Sequence, residues 1–160
     1  WTSVCVLYQD DQWGSGIAEA VLKEAGTLNI NVATAQKFTY TDDASIRNAV
    51  DVAKRYGTRI YVFAVLEEAW EKLFFAAEDA GIAGPGFVWV NTGTVDDPSE
   101  TISRSTDPSR LQRLVTGVLD VRVQPFLPRT AETFNRILRE TRAEDVYDPV
   151  LGDLAGLRER

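Results

Sequence analysis

The order of its hydrophobic patterns constrains this chain more than any other feature. Short apolar, β-branched runs alternate with stretches of helical period as far as residue 90. Residues 3–9 (SVCVLYQ), 31–38 (NVATAQKF), 59–65 (RIYVFAV) and 86–90 (GFVWV) read as strands. Short, near-continuous apolar runs bounded by polar turns mark strands covered on both faces. Between them, 14–26 puts Ile17, Val21 and Ala25 on one stripe with Leu22 beside it. The stretch 44–56 does the same with Ile46, Ala49, Val50, Ala53 and Tyr56. A third helix opens at Glu67 and Glu68, whose charges complement the positive end of the helix dipole. It carries Trp70, Leu73, Phe74 and Ala77, with Trp70, Phe74 and Phe75 at core spacing. Gly26, Gly57 and Gly81 stand at the three helix stops. The order β-α-β-α-β-α-β demands a parallel sheet with right-handed crossovers, an α/β fold in three layers, α-β-α.

Beyond residue 90 the pattern changes. Residues 91–109 are rich in Thr, Ser, Asp and Pro and read as a long loop. A helix-like or strand-like stretch covers 110–124, broken by Pro125 and Pro128. Residues 130–141 read as an amphipathic helix carrying Phe134, Ile137 and Leu138, and 146–160 as a weakly helical tail. The total of 160 residues suits one domain. Methionine is absent even from position 1 and no signal peptide is visible, so the chain reads as a piece of a longer one.

Composition removes several functions. A net charge of −7 argues against a nucleic-acid groove or an anionic membrane surface. No apolar window approaches 18 residues, so no direct membrane contact by a spanning helix is expected in this piece. With one cysteine and no histidine, an internal disulfide, a Cys/His zinc site and a histidine-based triad are impossible. No DxDxDG loop supports a calcium site, and no metal or other cofactor is expected. Cys5 alternates with Val4 and Val6 and reads as a buried thiol.

A doubly wound sheet binds ligands beyond the carboxyl ends of its strands. That narrows the search to loops 9–15, 39–42, 66–68 and 91–94. Gly14-Ser15-Gly16 faintly follows a dinucleotide fingerprint, but Glu19 stands at the third glycine and two aspartates at the phosphate site. Asp10-Asp11 fits a phosphoacceptor receiver no better, because the third strand ends Phe63-Ala64-Val65 without an aspartate. Asp10 or Asp11 caps the following helix. Trp13 either packs the loop or offers a flat wall to a ligand. The candidate ligand-binding residues are Asp10, Asp11, Trp13, Tyr40, Leu66 and Thr92: an acidic pair, two aromatic faces, an apolar edge and a hydroxyl. No activated nucleophile or oxyanion arrangement accompanies them, so no enzyme is expected.

Taken in order, VCVLYQDDQWGSG, SIRNAVDVAKRYGTRIYVF and AAEDAGIAGPGFVWV resemble the second lobe of type I periplasmic binding proteins. The nearer likeness is to the receptor family ligand-binding region, which holds metabotropic glutamate, GABA-B and natriuretic-peptide receptor ectodomains. Trp13-Gly14 matches its aromatic-glycine pair, and Gly117-Val118-Leu119 with Val121-Arg122-Val123 its returning strand. Tyr147-Asp148-Pro149-Val150-Leu151 resembles a helix of its first lobe. The stretch between Thr141 and Val146 is shorter than in the family, and Gly93 stands where amino-acid-binding members carry an acid.

The resemblance implies a type I periplasmic-binding-protein lobe over 1–128 and a remnant of the first-lobe return over 129–160. It implies a two-lobe module that closes on a small amino-acid-like ligand, extracellular or periplasmic, within a membrane-anchored receptor whose first lobe lies outside this piece. Two other classes share the fold. One is the effector domain of a transcriptional regulator; the other is a lobe kept as a structural or homodimerisation module.

Overall fold

The computed structural model describes residues 3–92 and 98–121, together with the backbone of 147–148 and 152–153. Two compact units are present, Trp1–Arg122 and Val123–Arg160. In the first, β1 (Ser3–Gln9), β2 (Asn31–Phe38), β3 (Ile60–Ala64), β4 (Val88–Asn91) and β5 (Leu119–Asp120) form one sheet in the order β2-β1-β3-β4-β5. Every pairing in it is parallel. The helices are α1 (Gln12–Thr27), α2 (Asp43–Arg55), α3 (Trp70–Asp79), α4 (Pro98–Arg104) and α5 (Pro108–Val115).

Strand alternation assigns the two faces. Cys5 and Leu7 of β1 and Tyr61 and Phe63 of β3 point into one buried cluster. Ile46, Ala49, Val50 and Ala53 of α2, Leu73, Phe74 and Ala77 of α3, and Leu111 of α5 complete it. The alternate residues Val6 and Ala64 are equally buried, on the face covered by α1. That helix buries Gly14, Ala18 and Ala25, small residues that let its backbone approach the sheet closely. This is the three-layer α-β-α arrangement the alternation demands.

The helix starts are set by side chains. Asp42 caps α2 by accepting from the Ala44 N–H at 2.9 Å, and its neighbour Asp43 is the first residue of the helix. Asp42→Ala is expected to cost about 0.5–2 kcal/mol, read as a lower urea midpoint at constant slope. An unchanged midpoint would show that water satisfies this helix start equally well.

Several expectations are corrected. Residues 91–109 are not one long loop: α4 and the start of α5 lie within them. Pro98 begins α4, and Asp107 with Pro108 begins α5, the Asp107 carboxylate accepting from the Arg110 N–H at 2.9 Å. These residues punctuate helix starts as readily as loops. Within 110–124, α5 ends at Val115 and β5 extends the sheet beside β4. Gly117, at φ 93°, makes the intervening turn. The third helix opens with a 3₁₀ turn, Glu67–Ala69, before α3. Tyr56 is exposed rather than part of its stripe, because it is the residue on which α2 ends, and Leu22, beside the α1 stripe, is exposed as well.

Phe75 lies at the rim of the core, with the Arg110 guanidinium 4.2 Å from its ring centre. Arg110 also pairs with Glu78 at 2.5 Å and Asp79 at 2.6 Å, and Arg113 reaches Glu78 at 2.8 Å. The Arg113 and Arg110 guanidinium groups hold the Glu78 carboxyl below its ordinary range. In the second unit, β6 (Tyr147–Asp148) pairs antiparallel with β7 (Gly152–Asp153), so these four residues are strand where helix was expected. The Asp148-Pro149 step and Gly152 both disfavour helix. The helix expected over 130–141 lies outside the described residues.

Candidate functional site

The strand order reverses between β1 and β3: from β1 the chain crosses to β2 on one side and then to β3 on the other. At such a switch point the two following loops diverge and leave a crevice. Here those loops are Asp10–Asp11 leading into α1, and Val65–Leu66 leading into the 3₁₀ turn. Tyr40 follows β2 and Thr92 follows β4, so the six candidate residues lie along the carboxyl edge of four adjacent strands. With strands about 4.8 Å apart, that edge spans about 14 Å. Tyr40 and Thr92 therefore flank the mouth, and Asp10, Asp11, Trp13 and Leu66 stand at its centre.

Their environments differ. Both oxygens of Asp11 are engaged: Oδ1 accepts from the Gly14 N–H at 2.6 Å and Oδ2 from Gln9 Nε2. Asp11 is the cap of α1, and its β-region backbone (φ −142°) is what a cap requires. Asp10 is exposed and pairs with Lys37 Nζ at 3.1 Å, while its N–H donates to the Phe38 carbonyl at 2.8 Å. Trp13 is half-buried in the first turn of α1. Tyr40 and Leu66 are 42% and 39% exposed, large apolar groups left open to solvent at the mouth. Thr92 is half-buried and held: its N–H and its Oγ1 both donate to the Phe63 carbonyl, at 3.0 and 3.1 Å.

Three partners were not singled out by pattern. Gln9 is only 2% exposed, a polar residue ending an apolar strand. Its Oε1 accepts from the Leu66 N–H at 2.8 Å, so one carboxamide joins the two central loops. Lys37 is the penultimate residue of β2 and brings a cation to the mouth from outside the four loops. Asn91, fully buried at the end of β4, donates to Asp120 at 2.7 Å and ties β5 to the sheet. A burial-breaking polar residue at a strand end was the available signal for Gln9 and Asn91.

Beside the mouth, Glu67, Glu68, Glu71, Thr101, Arg104 and Ser105 line a cavity of about 200 Å³. Glu67 accepts from Thr101 Oγ1 at 3.1 Å and Glu71 from the Thr106 N–H at 3.1 Å, so one carboxylate of the 3₁₀ turn and one of α3 tether α4 and the turn that follows it. Among the described residues no three His, Cys, Asp or Glu side chains are placed to hold a metal ion. Cys5 is buried and accepts from Thr58 Oγ1 at 3.2 Å; burial pushes its thiol pKa up, which suits a structural thiol.

Residues 1–150 match the receptor family ligand binding region. The chain belongs to that family. As a member of the receptor family ligand binding region it is a ligand-binding receptor module. It is 27% identical over 152 residues to Glutamate receptor 2.1 of Arabidopsis thaliana, a match covering 92% of the chain and 16% of that protein. Glutamate receptor 3.7 of the same plant is 24% identical over 153 residues, again covering 92% of the chain and 16% of the relative. The chain thus spans 16% of the length of these two relatives. No helix among the described residues is long and apolar enough to cross a membrane.

Proposed function

We propose that this chain forms one wall of a two-lobe extracellular domain that closes on a small amino-acid-like ligand, within a membrane-anchored receptor. In this reading residues 1–128 are the second lobe and 129–160 return toward the first, which lies elsewhere in the receptor. The observation that carries it is the set gathered at the β1/β3 switch point: the half-buried indole of Trp13, the exposed Leu66 and the exposed Asp10–Lys37 pair. A zwitterionic head group suits that set. Asp10 attracts an ammonium, Lys37 a carboxylate, and an aromatic face adds about 0.5–2 kcal/mol of cation–π attraction. Asp11, already engaged at the helix start, orients the loop rather than the ligand. Tyr40 and Thr92 extend the wall to either side. The relatives' name, glutamate receptor, makes L-glutamate the first probe.

The test uses the intact receptor ectodomain. Trp13→Ala is expected to weaken L-glutamate binding by about 1–3 kcal/mol in calorimetry and to leave the melting temperature nearly unchanged. A collapse of melting would make Trp13 a packing residue. No change in either would move the pocket away from this mouth. A wild-type ectodomain stabilised by no amino acid would favour a structural or dimerisation module instead.

A further inference from the structure

Among the described residues, Gln9 is the one buried polar side chain that bonds to both loops at the switch point. Its Nε2 donates to Asp11 Oδ2 and its Oε1 accepts from the Leu66 N–H, 57 positions along the chain. The carboxamide thus holds the start of α1 and the end of β3 in a single register. Gly14 reinforces the lock, because any Cβ at that position would collide with the Gln9 carbonyl oxygen. Trp13 lies in the chain between Asp11 and Gly14, and Leu66 is itself one of the two contacts of the carboxamide.

We propose that Gln9 is a positioning residue: its carboxamide fixes Trp13 and Leu66 relative to each other, so that they meet a ligand as one pre-formed wall. The proposal rests on the strand-end reading of the site given above. Its physical content is preorganisation: a wall ordered before binding does not have to be ordered by the ligand. A carboxamide suits the task because it offers one donor and one acceptor from the same rigid plane. Leucine or methionine would fill the space and hold neither loop. Glutamate would keep the acceptor for the Leu66 N–H but set a carboxylate against Asp11.

That asymmetry supplies the experiment, on the intact ectodomain with L-glutamate as the probe. Hydrogen–deuterium exchange is followed in segments 5–16 and 62–70, with α2 as internal reference. Gln9→Met is expected to speed exchange about tenfold or more in both segments, leaving α2 unchanged. The Kd for L-glutamate rises about tenfold or more, since the ligand must now order both loops. Gln9→Glu speeds exchange in 5–16 alone. Combining Gln9→Glu with Asp11→Asn exchanges donor and acceptor. The asparagine oxygen still caps α1, its Nδ2 donates to the new carboxylate, and the Leu66 N–H keeps its acceptor. Protection in both segments and affinity within about threefold of wild type are expected to return, as for a pair acting through one bond.

Unchanged exchange in Gln9→Met overturns the clamp. Faster exchange with an unchanged Kd makes Gln9 a purely structural residue and overturns the positioning role. Failure of the double variant to recover protection shows that the two loops are not joined through this carboxamide. If wild type is stabilised by no amino acid, the amino-acid reading falls and the positioning role with it, while the exchange pattern still decides whether the clamp exists.

Discussion

Phe63→Ala is expected to remove about 3–5 kcal/mol of stability, the range for deleting a buried aromatic side chain whose cavity cannot fully collapse. Phe63 is fully buried at the centre of β3, the strand flanked by β1 and β4. Its ring meets Phe74 edge-on at 5.5 Å between centres, and Trp70 and Trp89 at 5.8 Å each. Such aromatic pairs contribute about 0.5–1.5 kcal/mol beyond the area they bury. Trp89 in turn is pinned by its indole N–H to the Ile82 carbonyl at 3.1 Å, so it cannot swing in to refill the space. Urea unfolding at constant slope measures the loss. A cost below about 1 kcal/mol would mean that α3 closes onto the sheet and that this aromatic cluster is looser than its contacts indicate.

Gly14→Ala is expected to destabilise by about 1–3 kcal/mol, the cost of overpacking a tight contact. The same substitution at an open helical position normally stabilises, because alanine has the better helix propensity by about 0.8–1.0 kcal/mol. The reversal is a matter of space. An added Cβ at Gly14 would collide with the Gln9 carbonyl oxygen and lie 3.0 Å from Gln9 Cγ and 3.2 Å from Asp11 Oδ1. Backbone is the obstacle, so α1 must shift and carry Trp13 and the Asp11 cap with it. Gly16, one half-turn on, has nothing within 4 Å of its would-be Cβ. Gly16→Ala is therefore expected to raise stability slightly, and the opposite signs of the two variants are the measurement. Equal effects would show that the start of α1 has room to move, and the Trp13–Gly14 pair would lose its steric explanation.

Much of the fold was legible because it is written in local patterns. Residues 60–65 carry no charge and are apolar or aromatic throughout, which suits the central strand that Ile60–Ala64 form as β3. The Ile46–Ala49–Val50–Ala53 stripe is the buried face of α2. Asp42, Gly57 and Gly81 sit at helix ends for reasons that act within one turn of chain, whereas α1 runs past Gly26, the stop expected for it, to Thr27. Where the reading failed, one signal had two meanings. Pro98, Asp107 and Pro108 read as loop punctuation and are helix starts. Leu119 and Asp120 fall where the resemblance implies a returning strand, but so short a run becomes one only because β4 supplies the ladder.

The candidate site was legible as a set of loops and not as an arrangement. Sequence alone determined that the polar and aromatic residues follow strand ends, because alternation of β and α sends every crossover loop to the same edge. The tertiary structure decided which of those loops are neighbours. The order β2-β1-β3-β4-β5 puts Asp11 and Leu66 side by side, Tyr40 and Thr92 on the flanks, and Lys37 against Asp10. It also gave Gln9, a lone polar residue ending an apolar run, two partners 2 and 57 positions away. Helix periodicity and capping are short-range effects within one segment. Strand order and a hydrogen bond across 57 residues are long-range ones, set when separate segments bury their apolar faces against one another.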